Sequence, residues 1–117
     1  MKKIVLGYTG AIALMVLAIH TSIAREKPAP NEVTIDNFSF QPQTLTVPVG
    51  TTVTWINHDD IPHTVLSVDK TTIVSPALDT NEKFSYTFTA AGTNDYYCSV
   101  HPHMKGRIIV ESGTSSP

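Results

Sequence analysis

The sequence predicts an all-β protein, an antiparallel β-sandwich or barrel made of short strands. Three observations support this prediction. Apolar and polar residues alternate in short runs, glycine, proline and asparagine residues separate these runs, and no long stretch has the 3.6-residue period of an amphipathic helix. A chain of 117 residues without internal repeats has room for one such domain.

Residues 1–24 have the pattern of a secretory signal peptide. Two lysines precede an uncharged, mostly apolar run over residues 4–19, and Ser22 and Ala24 place small residues before the expected cleavage point. The run is short for a membrane span, which needs about 20 apolar residues. We therefore expect cleavage after Ala24 and export to the periplasm, with a retained N-terminal anchor as the alternative.

The composition limits the classes of partner. Removal of residues 1–24 takes away two lysines and no acidic residue, which changes the formal net charge from −2 to −4. A mildly acidic surface argues against nucleic acid and anionic membranes and is compatible with a protein that presents a basic or apolar patch. The only cysteine, Cys98, excludes an internal disulfide. Exported domains usually pair their cysteines, so an unpaired thiol suggests that a metal occupies it.

We place the domain at residues 32–112, after an extended lead-in at residues 25–31. Glu32–Asp36 alternates with period two, as a half-buried strand does. Turn residues at positions 48–50 separate two later runs. The strands predicted here are residues 32–36, a continuation through Phe38 and Phe40 as far as Pro42, residues 44–47 and residues 51–57.

The second half contains further strands and one irregular segment. Phe84, Tyr86 and Phe88 alternate with serine and threonine, and this is the clearest strand pattern of the chain. Residues 69–83 have no clear period, so a short helix and a loop both remain open. The other predicted strands are residues 63–68, 95–100 and 107–111, and residues 113–117 are expected to be a frayed polar tail.

The segment 97–104 carries the strongest functional signal. Cys98, His101 and Met104 follow one another in the order Cys-x2-His-x2-Met. Two histidines and one cysteine with a weak axial methionine are the ligands of a mononuclear electron-transfer copper centre. His63 is well placed to supply the second histidine, from the start of a neighbouring strand. The spacing of the other three residues suits a loop between two strands.

Each of these residue types has a more ordinary explanation when it stands alone. A free cysteine is commonly a buried core residue, a methionine fills core space and a single histidine is usually a polar loop residue. Their combination at loop spacing favours a metal site. His103 competes with His101 as a ligand because it lies two residues away, whereas His58 in a polar turn is expected to be solvated.

The chain resembles the cupredoxins, the family of type 1 blue copper proteins. Residues 51–57, the pair Pro62-His63 and residues 92–98 carry this resemblance. Within the family, the short loop from Cys98 to Met104 is most similar to that of the amicyanins. Plastocyanins and pseudoazurins are more distant, since they have a longer interval between the second histidine and the methionine.

The resemblance implies a Greek-key β-sandwich of about eight strands with copper near one end. It implies that the backbone N–H of Thr64 donates to the Cys98 sulfur and that Asn57 ties the two ligand-bearing loops together; such bonds orient ligands and tune the metal. Two departures from the amicyanins are His103, where that family commonly has an aromatic residue, and the segment 69–83. The implied ligands are His63, Cys98, His101 and Met104.

The predicted function is a soluble blue-copper carrier of single electrons, not an enzyme. Copper would cycle between Cu(II) and Cu(I) as electrons pass between larger redox proteins such as a dehydrogenase, a cytochrome or an oxidase. His101 is the expected solvent-edge ligand, within an apolar patch of Ile61, Pro62 and Pro102 that suits a small transient interface. We expect a monomer without nucleic-acid partners and, after signal cleavage, without membrane contact.

Two other metal functions remain as alternatives. A periplasmic copper carrier or storage protein without redox turnover would favour exposed clusters of methionine and histidine, of which the chain has only residues 101–104. A structural zinc site is the weaker alternative, because one cysteine with a methionine is a poor ligand set for zinc.

Overall fold

Eight β-strands form two facing sheets in the computed structural model, which describes residues 29–113. The strands are β1 (Glu32–Asp36), β2 (Ser39–Gln41), β3 (Thr44–Pro48), β4 (Thr52–Asn57), β5 (Leu66–Ser67), β6 (Lys83–Thr87), β7 (Gly92–Tyr97) and β8 (Lys105–Glu111). The first sheet has the order β2-β1-β4-β6 and the second has the order β3-β8-β7-β5. The predicted all-β sandwich is confirmed.

Parts of the chain named above lie outside the described residues. These are the predicted signal segment at residues 1–24, residues 25–28 of the lead-in and residues 114–117 of the tail. Among the residues that the structure describes, no helix is long and apolar enough to cross a membrane.

The core lies between the sheets because strand residues alternate between the inner and outer faces. Val33, Ile35, Val53 and Trp55 of the first sheet are fully buried or nearly so, and they face inward. The Trp55 ring packs edge-to-face against Tyr96 of the second sheet, with 5.5 Å between the ring centroids. Burial of each such large apolar side chain stabilises the fold by roughly 1.5–3 kcal/mol.

The prediction of purely antiparallel pairing is wrong for two of the strand pairs. β1 pairs with β4 in parallel, and β3 pairs with β8 in parallel. The chain passes from β2 in the first sheet to β3 in the second and then returns as β4. Parallel neighbours need such a crossover. The remaining named pairs are antiparallel.

The predicted alternation through Phe38 is also wrong, because a turn separates β1 from β2. Asn37 and Phe38 form this two-residue turn, with φ of 51° and 56°. Phe40 lies in β2 and is buried, whereas Phe38 is 52% exposed. Alternation in the sequence continued across the turn, but the change of chain direction placed the two rings in different environments.

Less of the middle segment is strand than the sequence predicts. β5 covers only Leu66–Ser67, and His63 forms an isolated bridge with Leu78. The irregular segment 69–83 is a loop up to the start of β6 and contains no helix. In the loop, the Asp69 carboxylate accepts hydrogen bonds from neighbouring N–H and hydroxyl groups, which satisfies backbone donors without a helix.

The last two strands place the predicted cysteine loop at one end of the sandwich. β7 ends at Tyr97 and the antiparallel β8 begins at Lys105, so residues 98–104 connect adjacent strands. Gly106 allows β8 to lie closely against the core: a Cβ atom at this position would come within 2.2 Å of the Tyr96 ring. Any larger residue would therefore push the strand away from the ring.

Candidate metal centre

Three side chains with metal-binding atoms converge where the 98–104 loop meets the segment around His63. The Nδ1 atoms of His63 and His101 lie 3.7 and 3.8 Å from the Cys98 sulfur. The three ligand-type atoms all lie within 4.8 Å of one another. His63 and Cys98 are buried, and His101 is partly exposed. The structure thus brings together three of the four predicted ligands around one point.

Backbone hydrogen bonds close the loop that carries two of these side chains. The Cys98 N–H donates to the Met104 carbonyl at 3.1 Å, and the Met104 N–H donates to the His101 carbonyl at 2.9 Å. A third bond runs from the His101 N–H to the Cys98 carbonyl at 3.3 Å. The loop is short and its backbone is bonded internally, so Cys98 and His101 are held on the same side of it.

His63 is held from its backbone and from its ring. Its N–H donates to the Leu78 carbonyl at 3.1 Å, and its carbonyl accepts the Leu78 N–H at 2.8 Å. The ring Nε2 lies 2.8 Å from Oδ2 of Asp59. A proton on Nε2 that is donated to this carboxylate leaves the Nδ1 lone pair free, and Nδ1 is the atom that faces the sulfur.

The Asp59 carboxylate is the acceptor in this pair and has two further donors. Partial burial is the largest single cause and raises the pKa of Asp59. Hydrogen bonds from the Phe38 N–H, from His63 and from the Asn37 N–H together lower the pKa by more than burial raises it. The net pKa lies below the ordinary value for aspartate, so the carboxylate is ionised at neutral pH. An ionised acceptor favours the proton on Nε2 of His63.

Thr64 contacts the Cys98 sulfur, and its bonds to Ser99 join the two ligand-bearing segments. The Thr64 N–H donates to the Cys98 sulfur at 3.3 Å, which is the contact implied by the resemblance. The Thr64 hydroxyl oxygen accepts the Ser99 N–H at 2.8 Å and lies 2.7 Å from the Ser99 hydroxyl. Hydrogen bonds to a sulfur ligand stabilise its ionised form and tune a bound metal.

Asn57 has a different role from the one expected. Its side-chain amide donates to the carbonyl groups of Ile61 and Leu78 at 2.9 and 2.8 Å, and its side-chain oxygen accepts the Asp59 N–H at 2.9 Å. These bonds brace the His63 segment against the segment before β6, not against the 98–104 loop. The expectation that Asn57 ties the two ligand-bearing loops is wrong, because the Thr64–Ser99 pair makes that connection.

Met104, the fourth predicted ligand, is bonded through its backbone to Cys98 and His101. Its side chain is buried and lines a shallow cavity of about 380 Å³ together with Phe38, Val100 and His101. His103 also lines this cavity but is exposed, and His58 is exposed as expected. A larger depression of about 460 Å³ surrounds the Asp95–Arg107 ion pair and contains none of the predicted ligands.

The arrangement fits a copper ion on the chemistry of its donors. Bonds from a first-row ion such as zinc to sulfur and to imidazole nitrogen are each about 2.0–2.3 Å, so one ion can reach two atoms that are 3.7 or 3.8 Å apart. A soft thiolate suits Cu(I), and imidazole suits both oxidation states of copper. The Asp59 carboxylate is bonded to Nε2 of His63, whereas it is Nδ1 of the same ring that faces the sulfur.

Sequence reasoning missed two residues at this site. Asp59 precedes His63 by four positions in a loop, and no periodicity indicates that the two side chains meet. Phe38 packs against both histidine rings but was assigned to a strand. A carboxylate close before a candidate ligand histidine was the only available signal for Asp59, whereas nothing in the sequence indicated the position of the Phe38 ring.

Comparison with known proteins identifies relatives along most of the chain. A family model described as a cupredoxin-like domain matches residues 9–110. Amicyanin from Paracoccus denitrificans is 35% identical over 112 residues, which are 90% of this chain and 86% of that protein. Plastocyanin from Scenedesmus fuscus is 34% identical over 85 residues, which are 62% of this chain and 86% of that protein.

Solved structures agree with the sequence matches. The Cu(I) form of an amicyanin variant superposes with a TM-score of 0.65 at 35% sequence identity and covers 74% of this chain and 88% of that one. The predicted resemblance, nearer to the amicyanins than to the plastocyanins, is therefore confirmed.

Proposed function

Since the chain belongs to the cupredoxin-like domain family, we propose that it is a small exported blue-copper protein that carries single electrons between larger redox proteins. The observation that carries the proposal is the convergence of one thiol and two imidazole nitrogens within 4.8 Å. Copper, when bound, supplies one-electron exchange between Cu(II) and Cu(I). The relatives named amicyanin and plastocyanin support the same class of function.

We assign the ligands to His63, Cys98 and His101, and Met104 would be a fourth, weaker ligand. The protein contributes by holding these residues in place. The 98–104 loop fixes two ligands through its backbone bonds, and the Leu78 bridge fixes the third. Because these contacts do not depend on the metal, the ligands need little rearrangement when the charge of the site changes.

The proposed face for electron exchange surrounds His101. Among the proposed ligands His101 is the partly exposed one, and Pro102, Val100 and Phe38 lie around it. An exposed apolar surface around the ligand suits the small transient interfaces of redox encounters. A dehydrogenase, a cytochrome or an oxidase would be suitable partners, and the protein would act as a monomer in the periplasm after cleavage of residues 1–24.

The proposal is tested by adding Cu(II) to the purified protein and recording visible absorption and electron paramagnetic resonance, before and after addition of a reductant. We expect an intense blue band with a narrow copper hyperfine splitting that is bleached and restored reversibly. Cys98→Ala should lose the blue band and keep its β-sheet circular dichroism. His58→Ala is the matched control, because His58 is exposed and lies outside the site, and it should keep the band.

Two results would contradict the electron-carrier assignment. A pale Cu(II) complex of the unaltered protein would mean that the thiolate is not a ligand, and a copper carrier or storage protein would then be the better assignment. A blue Cys98→Ala variant would place the site elsewhere. His103→Ala should also remain blue, because the Nδ1 of His101 is the one that faces the sulfur.

A further inference from the structure

The turn between β1 and β2 holds an aromatic residue in a strained backbone conformation. Asn37 and Phe38 both have positive φ, at 51° and 56°. Asparagine tolerates this region, but a bulky side chain adopts it rarely and at a steric cost. Glycine is common at the second position of such hairpin turns. Strained residues persist where neighbouring structure holds them, and they cluster at functional sites.

The neighbouring structure here is the Asp59 carboxylate. Its Oδ1 accepts the Asn37 N–H at 2.7 Å, and its Oδ2 accepts the Phe38 N–H at 2.9 Å. The same Oδ2 lies 2.8 Å from Nε2 of His63. One carboxylate therefore binds both strained residues of the turn and a proposed metal ligand, which fixes the turn relative to the site.

This connection places the Phe38 ring against both histidine ligands. Its centroid lies 5.5 Å from that of His63 and 5.2 Å from that of His101, with interplanar angles of 86° and 89°. Edge-to-face packing is a favoured geometry for rings with these quadrupoles. The two histidine rings are themselves 5.0 Å apart. The three rings thus form one cluster, with Phe38 on its solvent-exposed part.

The two histidines differ in how much they depend on this cluster. His63 is fully buried and is held by Asp59 and Leu78. His101 is partly exposed, and the loop bonds described above hold only its backbone. The His101 ring contacts the Cys98 sulfur through Nδ1 and packs against the rings of His63 and Phe38. Asp59 holds both of these rings in place, and Phe38 is the one that is more than half exposed and is not a proposed ligand.

We propose that Phe38 is a positioning residue of the metal site: its ring keeps the His101 imidazole in the orientation that a ligand needs, with or without a bound metal. This inference rests on the proposed copper site and deepens it. A histidine held in this way changes little between the two oxidation states. Glycine at position 38 would avoid the backbone strain, but it has no ring that could pack against His101.

The test compares ring motion of His101 in the metal-free protein. Carbon relaxation dispersion of the His101 ring, recorded at one fixed pH, reports microsecond-to-millisecond exchange. Phe38→Leu keeps an apolar side chain but removes the ring, and we expect exchange broadening of His101 to rise several-fold. Phe38→Tyr keeps the ring and should behave as the unaltered protein. Val100→Ala is the control, because Val100 is 58% exposed and lines the same cavity.

A second readout uses the copper-loaded protein. Phe38→Leu should change the copper hyperfine splitting, whereas Val100→Ala should not, since a surface that only contacts partners does not affect the spectrum of the isolated protein. Unchanged amide spectra of core residues would establish that the variants fold. Equal His101 exchange in Phe38→Leu and the unaltered protein would overturn the inference. A pale copper complex of the unaltered protein would overturn the proposed function instead, and the metal-free measurement would still test Phe38.

Discussion

Thr64 contributes to the candidate site through its backbone and through its side chain. The backbone N–H reaches the Cys98 sulfur, and the hydroxyl oxygen accepts the Ser99 N–H. Substitution cannot easily remove the first interaction, but it can remove the second. The hydroxyl is therefore the part of Thr64 through which the connection between the two ligand-bearing segments can be measured.

Replacement of Thr64 by valine should lower the free energy of unfolding by about 1 kcal/mol, because the Ser99 N–H and hydroxyl lose their partner. Urea denaturation of the metal-free protein measures this loss. Thr64→Ser is the matched variant, since it keeps the hydroxyl, and it should retain more of the stability. Equal stability of Thr64→Val and the unaltered protein would show that water replaces the lost bond without cost.

At this scale the sequence indicates ligands better than it indicates their supports. Cys98, His101 and Met104 could be predicted as candidate ligands because a copper centre of this kind uses these residue types and a short loop can present them. Asp59 and Phe38 could not, since their positions depend on a turn with two positive φ angles. Alternation of apolar and polar residues contains no information about such a turn.

Among the structural elements, the loop after β5 depends on one aspartate. Asp69 accepts hydrogen bonds from the Ser67 hydroxyl and from the Thr71 and Thr72 N–H groups, and the Thr72 hydroxyl is a further partner. The hydrogen bond from Ser67 is the largest cause that lowers the pKa of the carboxyl well below its usual range, followed by those from Thr72 and Thr71. The ionised carboxylate therefore stabilises this loop.

The sign of this pKa change predicts how stability depends on pH. Because the pKa of Asp69 is lower in the folded than in the unfolded protein, its contribution is complete above about pH 4 and is lost as the pH falls toward the folded value. Asp69→Asn should therefore lose less stability than the unaltered protein over that acid range. Urea denaturation at a series of pH values measures the difference.

The control for this experiment is Asp60→Asn, which changes an exposed aspartate that takes no part in the turn. It should leave the acid dependence closer to that of the unaltered protein. If Asp69→Asn and Asp60→Asn gave the same acid dependence, the turn around Asp69 would not be formed by its carboxylate in solution.

Strand positions could be predicted far better than strand partners. The predicted strands 32–36, 44–47 and 51–57 agree with β1, β3 and β4 to within one residue at each end, because each of these strands has one face toward the core. The parallel pairs could not be predicted, since a period of two is the same for either direction of the neighbour. A loop at residues 69–83 could likewise not be distinguished from a short helix, because the local hydrogen bonds of Asp69 leave no periodic pattern.

For the molecule as a whole, the core and the site overlap, because Cys98 and Met104 belong to the same buried cluster as Trp55. The core joins the two sheets, and hydrogen bonds from Thr64 further hold the site at one end of the sandwich. Neither set of contacts includes a metal. The sandwich should therefore fold before copper binds, and the ligands should already be close together in the metal-free protein.

These contacts between protein groups predict a folded metal-free protein whose stability rises with copper. Binding to the folded state alone adds about 2.7 kcal/mol when free ligand is a hundred times its dissociation constant. Circular dichroism should show the same β-sheet with and without copper, and thermal unfolding should occur at a higher temperature with it. Cys98→Ala should lose most of this copper-dependent increase, since it lacks the thiolate. An unfolded metal-free protein would mean that copper forms the site and does not occupy a preformed one. An equal increase in Cys98→Ala would mean that copper stabilises the protein without the thiolate.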